Sequence, residues 1–255
     1  EQIKFETTRA AMHQMGYDAQ ALGLEELRLG ADKLFEVFSA EGGNETSRPK
    51  FVCANVTLFQ ERTADYPPDF PPDQFRIVEV GGLKIGVTAI IGEDVWARVF
   101  PGGLTVLDTL YSLEPPAQAL QRVVPLIQAE KPDVLLLLSH TSLDSSRNLA
   151  AQFPVFDAVV TAGGPEDGRR DAGLVGETLV LEVGQKGKAA GVLGIFPEDK
   201  DRKLRFQLVE LNGRQFEHAP SMHELFEKYV GRLNDQHPAL QESLGAHPSG
   251  ATFVG

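Results

Sequence analysis

The sequence predicts an α/β protein whose strands form one mixed sheet or two sheets. Segments with a helical spacing of apolar residues alternate with strand-like segments as far as about residue 160, and consecutive strand-like segments follow. The run "VLLLL" at 134–138 is apolar throughout, as in a strand that is covered on both faces. This order of elements favours helices packed against a central sheet.

The first part of the chain contains two helical patterns and one strand. "FETTRAAMHQMGYDAQALG" predicts a helix that ends near Gly16, followed by an extended segment over 18–22. "LEELRLGADKLFEVFSAEGG" predicts a single helix closed by Gly42 and Gly43, because its leucines and phenylalanines recur at helical spacing. "KFVCANV" predicts a strand, and the four prolines of residues 61–73 predict a loop.

A hairpin is the clearest local pattern. In "FRIVEVGGLKIGVTAII" two β-rich runs flank Gly81 and Gly82, which suits a two-residue turn with positive φ. The stretch that follows, "GEDVWARVFPGGLTVLDTLYSLEPP", holds the only tryptophan and is interpreted as irregular.

The second half continues the alternation. "PAQALQRVVPLIQAEKP" predicts a helix that Pro125 starts or kinks, and "SSRNLAAQFP" predicts a short helix. Strands are predicted for "DVLLLLSH", "FDAVVTAGG", "ETLVLEVGQKGKAAGVLGIFP" and "KLRFQLVEL". "SMHELFEKYVGRLNDQ" predicts an amphipathic helix with Ser221 as its N-cap. We therefore expect one domain over 1–212, and a C-terminal helix with a linker tail over 213–255.

Composition excludes several classes of function. The net charge of −12, with no run rich in lysine and arginine, argues against nucleic acid and anionic membrane surfaces as partners. No apolar run approaches the ~20 residues of a membrane span, so no membrane insertion is expected. The single cysteine, Cys53, lies in an apolar run and predicts a buried thiol. Because the sequence starts at Glu1 within a helical pattern, we expect a processed form or a piece of a longer protein.

Five motifs, in this order, resemble the 5′-nucleotidase branch of the calcineurin-like metallophosphoesterases over roughly residues 8–211. "MGYDAQALGLEELRLGADKL" resembles the segment in which a Gly-Asn-His-Glu turn follows a Gly-Tyr-Asp-Ala approach. "FVCANV" resembles the next strand, and "VEVGGLKIGVTAIIG" resembles the family's hairpin. "KPDVLLLLSHTSLDSSRNLAAQFPVFDAVVTAGGPEDGRR" resembles the segment that ends in a Gly-His-Ser-His loop, and "GETLVLEVGQKGKAAGVLGI" resembles the following pair of strands.

The resemblance implies a four-layer α-β-β-α sandwich with a two-metal centre at the strand ends. Such a centre holds the phosphate and generates the attacking hydroxide, and it needs about seven nitrogen and oxygen ligands. By this resemblance the family's first Asp-x-His and its next aspartate lie on two strands before Glu1, so the sandwich is expected to lack its first strands here.

Most of the ligand positions that can be compared have changed. The asparagine of the turn falls on Leu24 and its histidine on Glu25, while the glutamate is kept as Glu26. The two histidines of the last loop fall on Gly163 and Pro165. His140, after "LLLLS", is the one ligand that is kept.

Two candidate sites follow from this comparison. His140, Glu25 and Asp167 could form one oxygen and nitrogen site for a divalent ion such as Mn²⁺, Zn²⁺, Mg²⁺ or Ca²⁺, although no cofactor is the main expectation. Arg169 and Arg170 could grip a phosphate- or carboxylate-bearing small molecule without a metal. The alternatives are a hydrogen-bonded strand-end histidine, a solvated helix N-terminus and a turn of solvated charges.

The leading hypothesis is a domain that has lost its metal centre and serves as a non-catalytic scaffold or binding domain of a larger protein. The alternative is an active metal-dependent hydrolase of nucleotides or similar phosphoesters, with rearranged ligands or ligands supplied from upstream. The closing "ATFVG" resembles the lead-in to the first haem-attachment motif of some multihaem cytochromes c, so a c-type cytochrome domain is an expected neighbour. By resemblance, the expected location is periplasmic or secreted.

Overall fold

The computed structural model describes residues 2–41, 49–59, 72–101, 110–199, 203–217 and 219–236. The predicted helix closure at Gly42 and Gly43, most of the proline-rich loop and the "ATFVG" end lie outside these residues. The helices in the described ranges are α1 Gln2–Gln14, α2 Leu24–Leu27, α3 Ala31–Glu41, α4 Glu93–Val99, α5 Pro116–Ala129, α6 Leu143–Gln152 and α7 Pro220–Gln236. The strands are β1 Ala19–Ala21, β2 Lys50–Val52, β3 Val56–Leu58, β4 Phe75–Val80, β5 Leu83–Ile91, β6 Tyr111–Leu113, β7 Val134–His140, β8 Ala158–Thr161, β9 Gly173–Val175, β10 Thr178–Glu182, β11 Ala189–Ile195 and β12 Leu204–Glu210.

A mixed six-stranded sheet forms the centre of the molecule, in the order β4-β5-β7-β8-β10-β9. Its four inner strands run parallel, and the two edge strands β4 and β9 run antiparallel to their neighbours. Three strand pairs accompany it: β1 with β2 in parallel, and β3 with β6 and β11 with β12 in antiparallel. The predicted α/β architecture with a mixed sheet is confirmed.

Two buried apolar clusters surround this framework. The first joins the inner strands to α5 and α6, and includes Ile127, Leu137 and Phe156. The second joins α2, α3 and α4 to the short strands, and includes Leu34, Phe51 and Ile91. Helices therefore cover the strands through two separate cores, which agrees with the layered architecture that the resemblance implied.

Several local predictions are correct in detail. The turn between β4 and β5 uses Gly81 at φ 59° and Gly82 at φ 81°, so the two-glycine hairpin is confirmed. β7 lies between β5 and β8, which explains its uninterrupted apolar sequence. The helix around Pro125 also forms, but it begins with Pro116, and Pro125 lies within it.

Other local predictions are wrong, each for a physical reason. The single helix over "LEELRLGADKLFEVFSAEGG" is two helices, because Gly30 at φ 92° interrupts it. "KFVCANV" contributes to two strands, because the buried Asn55 between them holds the backbone of Ile91 on both sides: its Oδ1 accepts from the Ile91 N–H at 2.9 Å and its Nδ2 donates to the Ile91 carbonyl at 2.8 Å. The stretch interpreted as irregular contains α4 and β6.

The C-terminal helix lies against the first helix of the chain. Arg232 of α7 forms an ion pair of 2.7 Å with Glu6 of α1. Ser221 is inside α7 and not at its N-cap, since the helix begins at Pro220, a residue type favoured at the first helical position. The division at residue 212 stays a prediction. In the part of the chain described, no helix is long and apolar enough to cross a bilayer.

Candidate functional site

The carboxyl ends of four parallel strands meet at one edge of the sheet. The register aligns Ile91 of β5 with His140 of β7, Ser139 with Thr161 of β8, and Thr161 with Glu182 of β10. In open α/β sheets, ligands bind outside the carboxyl ends of the strands. The edge that carries His140, Thr161 and Glu182 is therefore where a functional site is expected.

The turn between β1 and α2 packs beside His140. Glu26 folds back under this turn, since a Cβ at Gly23 would lie 2.6 Å from Glu26 Oε2. Gln20 Nε2 donates to Glu26 Oε1 at 3.2 Å. Burial raises the pKa of the Glu26 carboxyl, although hydrogen bonds from the Glu26 and Gly23 amides oppose this. The retained glutamate thus holds the turn together, as a capping residue does at a helix start.

His140 is half-buried, and its ring Nδ1 lies 3.4 Å from the carbonyl oxygen of Leu22. Burial lowers the pKa of this imidazole below its ordinary 6.5, and the charge of Arg98 lowers it further. The hydrogen bond to Leu22 and the charges of Glu25 and Asp94 act in the opposite direction. The lowered pKa favours the neutral form of the ring.

Two of the positions that the resemblance equates with lost ligands, Leu24 and Gly163, pack closely against the rest of the fold. Leu24 packs against the second apolar cluster. Gly163 lies so close to the backbone after β7 that a Cβ there would overlap the carbonyl oxygen of Thr141. The same backbone is tied to α4, because Asp94 accepts a hydrogen bond from the Thr141 hydroxyl and one of 3.1 Å from the Ser142 amide. These contacts leave no room for a histidine at Gly163.

The candidate metal ligands do not form a group in the part of the chain described. No three His, Cys, Asp or Glu side chains of these residues come together so as to hold a metal ion. Glu25 contributes to the electrostatic surroundings of His140. Asp167 is exposed and forms an ion pair of 3.0 Å with Lys188 instead. The described residues at this edge thus contain no ready group of metal ligands, and the separate assignments of the three residues stay predictions.

The two predicted anion-binding arginines face different carboxylates. Arg170 forms an ion pair of 2.9 Å with Glu210 of β12, and both side chains are exposed. Arg169 lies instead beside Glu182, with Nη1 at 3.8 Å from Oε1. A second arginine, Arg147 of α6, approaches the same oxygen to 3.7 Å. The structure therefore pairs Arg169 with Arg147 around one carboxylate.

Glu182 is the feature that sequence reasoning missed. Its side chain is only 2% exposed, and its Oε1 has no hydrogen-bond partner within the described residues. The sequence offered one signal, a glutamate that ends the apolar strand "LVLE". Its arginine partners could not be read from the sequence, because the parallel pairing of β8 with β10 and the position of α6 decide them.

Buried hydroxyls fix the loop that carries Arg169. Ser146 Oγ lies 3.0 Å from Ser139 Oγ and 2.8 Å from Thr161 Oγ1, which accepts from the Gly163 amide at 3.1 Å. Farther along the loop, the Arg169 amide donates to the Glu182 carbonyl at 2.9 Å. The loop over 163–170 is thus anchored at both ends, and its arginine is held at the strand edge.

Comparison with known proteins gives structural rather than close sequence matches. No family model matches the chain. The chain is similar to a 5′-nucleotidase precursor of Thermus thermophilus (TM-score 0.70, 19% identity, covering 94% of this chain and 47% of that one). It is also similar to the Thermus thermophilus sulfate thiohydrolase SoxB (TM-score 0.68, 18% identity, covering 90% of this chain and 39% of that one). A third similar structure is the Bacillus subtilis calcineurin-like phosphoesterase YfkN (TM-score 0.65, 16% identity, covering 90% of this chain and 74% of that one).

A curated apyrase of Tabanus yao is 33% identical over 76 residues, which are 30% of this chain and 13% of the apyrase. The chain therefore spans less than half of the first two solved structures and a small part of the apyrase. Structural similarity to proteins of 16–19% sequence identity establishes the fold of this chain alone. The chain has the fold of the calcineurin-like metallophosphoesterases, in the form seen in 5′-nucleotidases.

Proposed function

We propose that this chain is a metallophosphoesterase-fold domain that binds an anionic ligand and does not hydrolyse phosphoesters through a two-metal centre. The observation that carries the second part is the contact between Gly163 and Thr141. A histidine at this position would overlap the backbone, so the loop in this conformation accommodates only glycine there. Leu24, which has no lone pair to offer a metal, is partly buried against the second apolar cluster.

The anion-binding part rests on the cluster of Arg147, Arg169 and Glu182. Both guanidiniums lie 3.7–3.8 Å from the carboxylate, beyond hydrogen-bond distance, so their N–H groups are not used by it. The side chains of Arg147 and Arg169 are 39% and 58% exposed, so both are accessible to a ligand in solvent. Two guanidiniums and one carboxylate leave a net positive charge, which suits a phosphate or carboxylate group.

The alternative is an active metal-dependent phosphoesterase. Two observations favour it: the neutral imidazole of His140 at the strand end, and the names of the similar proteins, which include a 5′-nucleotidase and an apyrase. A neutral imidazole is the form that binds a metal. In this hypothesis the remaining ligands come from rearranged side chains or from residues upstream of Glu1.

Metal content and turnover separate the two functions. The protein is dialysed against Mn²⁺ and Zn²⁺, its metal content per chain is measured by mass spectrometry, and AMP and bis(4-nitrophenyl) phosphate are offered as substrates. We expect substoichiometric metal and no turnover above that of the His140→Ala variant. One or two tightly held ions, with turnover that chelation and His140→Ala both abolish, would establish the enzyme instead.

Anion binding is tested with inorganic phosphate and pyrophosphate by isothermal titration calorimetry. A charge-assisted hydrogen bond contributes about 1.5–3 kcal/mol, so Arg169→Gln and Arg147→Gln should each weaken binding at least tenfold. Arg170→Gln is the matched control, because the Arg170 guanidinium faces Glu210. The affinity of this variant for the two anions should stay within twofold of that of the unchanged protein. Equal losses in all three variants, or no binding by the unchanged protein, would overturn the assignment.

We also propose that the domain works outside the cytoplasm, as part of a larger protein that includes a c-type cytochrome domain. One similar structure is described as a precursor, and the chain spans 47% of its length. Fractionation of cells that express the full-length gene, with haem staining of the product, tests both parts. A haem-free product in the cytoplasm would contradict them.

A further inference from the structure

Two cavities of different character share a wall on the side of α1. One is a groove of 390 Å³ between α1 and α7, and the other is a pocket of 170 Å³ between α1, β1 and α2. Lys4 and Thr8 line both of them. The two cavities therefore meet at the exposed side chain of Lys4.

The groove is almost wholly apolar. Met12, Met15 and Met222, the three methionines of the chain, all line it together with Phe226. Met15 and Phe226 remain 54% and 53% exposed, so α1 and α7 leave this surface uncovered. Methionine adapts its shape to a ligand more readily than branched side chains do. The volume lies in the range of about 300–1,000 Å³ typical of small-molecule sites.

The pocket on the other side of Lys4 combines apolar walls from Phe5 and Leu29 with charged and amide side chains. Arg9, Gln20, Glu25 and Glu26 line it. These groups are already linked, since Arg9 lies 3.3 Å from Gln20 Oε1 and Gln20 donates to Glu26. Lys4 differs from its neighbours, because within the described residues its ammonium group has no ion-pair or hydrogen-bond partner. Among the described residues, it is the only charged one that lines the groove.

We propose that the groove binds a monocarboxylate with a long saturated chain, whose carboxylate pairs with Lys4 and whose chain lies between the methionines and Phe226. A single cation at the end of an apolar groove is complementary to a ligand with one negative charge and an apolar tail. A protein interface would need about 800 Å² from this partner, which a cleft of this size does not provide.

The chain length of the ligand gives a quantitative test. Burial of each CH₂ group raises affinity about fourfold, so affinity should rise through octanoate, decanoate and dodecanoate, each titrated below its micelle concentration. Dodecyltrimethylammonium has the same chain and the opposite charge, and should bind at least tenfold more weakly than dodecanoate. Isothermal titration calorimetry measures all four ligands.

Variants then separate the two halves of the site. Lys4→Gln should weaken the binding of dodecanoate at least fivefold, and Phe226→Asp should abolish it. Because Phe226 is exposed, we expect this substitution to leave the fold intact, which circular dichroism checks. Lys84→Gln, on the exposed β4–β5 hairpin, is the control and should bind as the unchanged protein does. Phosphate binding at Arg169 should be unaffected by Lys4→Gln, so this proposal and the proposed function fail independently.

Three results would overturn the proposal. The first is affinity that does not depend on chain length. The second is binding that does not depend on charge: dodecanoate and the dodecyl cation bind equally well, or Lys4→Gln binds dodecanoate as tightly as the unchanged protein does. The third is a concentration-dependent dimer in sedimentation that Phe226→Asp dissolves, since the groove would then be the contact between two copies of the chain.

Discussion

Arg169 and Glu182 are joined at two levels. The Arg169 amide donates to the Glu182 carbonyl oxygen at 2.9 Å, and the Arg169 guanidinium lies 3.8 Å from the buried Glu182 carboxylate. The backbone bond attaches the loop after β8 to the end of β10. The carboxylate then faces two guanidiniums, the second being that of Arg147. The loop that follows β8 is therefore organised around a buried carboxylate.

The buried carboxylate should make the two arginines necessary for stability. In the Arg147→Gln, Arg169→Gln double variant the charge of Glu182 is left without compensation. We expect the free energy of unfolding to fall on the order of 2 kcal/mol, less than the ~3–5 kcal/mol for a fully buried pair because water reaches both guanidiniums. Urea unfolding followed by circular dichroism measures the change.

A third substitution tests the cause of that loss. Adding Glu182→Gln to the double variant removes the uncompensated charge and should recover most of the lost stability, whereas Glu182→Gln alone should change it by less than about 1 kcal/mol. If the triple variant is as unstable as the double variant, the arginines stabilise through packing and not through charge.

The packing of Gly163 predicts a second effect. Gly163→Ala places a methyl group against the Thr141 carbonyl oxygen, and overpacking of this kind costs about 1–3 kcal/mol. Gly213→Ala is the control, since a Cβ there would meet no atom within 4 Å and alanine restricts the unfolded chain. The midpoints of urea unfolding should therefore move in opposite directions. Equal midpoints would mean that the loop moves freely away from Thr141.

The sequence was sufficient for the fold because its patterns are local. The hairpin at Gly81, the apolar strand before His140 and the order of the motifs each depend on neighbouring residues. The anion cluster depends on residues far apart in sequence. Arg147 and Glu182 meet only because β8 and β10 pair in parallel beneath α6, and no spacing in the sequence reports that contact.

The break at Gly30 was missed for a related reason. A glycine costs only about 1 kcal/mol in a helix interior, so the apolar spacing favoured one continuous helix. The structure ends α2 at Leu27 and begins α3 at Ala31, and glycine adopts the φ of 92° between them without strain.

The His140 ring should titrate below its ordinary pKa. Because burial lowers the folded-state pKa of this base below 6.5, the unfolded state takes up the proton first as the pH falls. The contribution of His140 to the free energy of unfolding is therefore fully present above pH 6.5. It is lost as the pH falls from 6.5 toward the folded-state pKa of the ring. NMR titration of the His140 imidazole signal, in the folded and in the urea-unfolded protein, measures the shift. An ordinary pKa for His140 would show that water reaches the ring.

Glu26 should produce a pH dependence at lower pH. Burial raises the pKa of this acid above 4.5, so the folded state keeps its proton longer than the unfolded state as the pH rises. The contribution of Glu26 to stability is therefore fully present below pH 4.5. It falls as the pH rises from 4.5 to the folded-state pKa, and it stays lost at higher pH. Glu26→Gln removes this titration, so its stability relative to the unchanged protein should increase between pH 4 and pH 7. Glu25→Gln, at an exposed position in the same turn, should show no such increase, and instead lose a few tenths of a kcal/mol from the helix N-terminus. If the two variants follow the same pH profile, the Glu26 carboxylate is solvated and does not hold the turn.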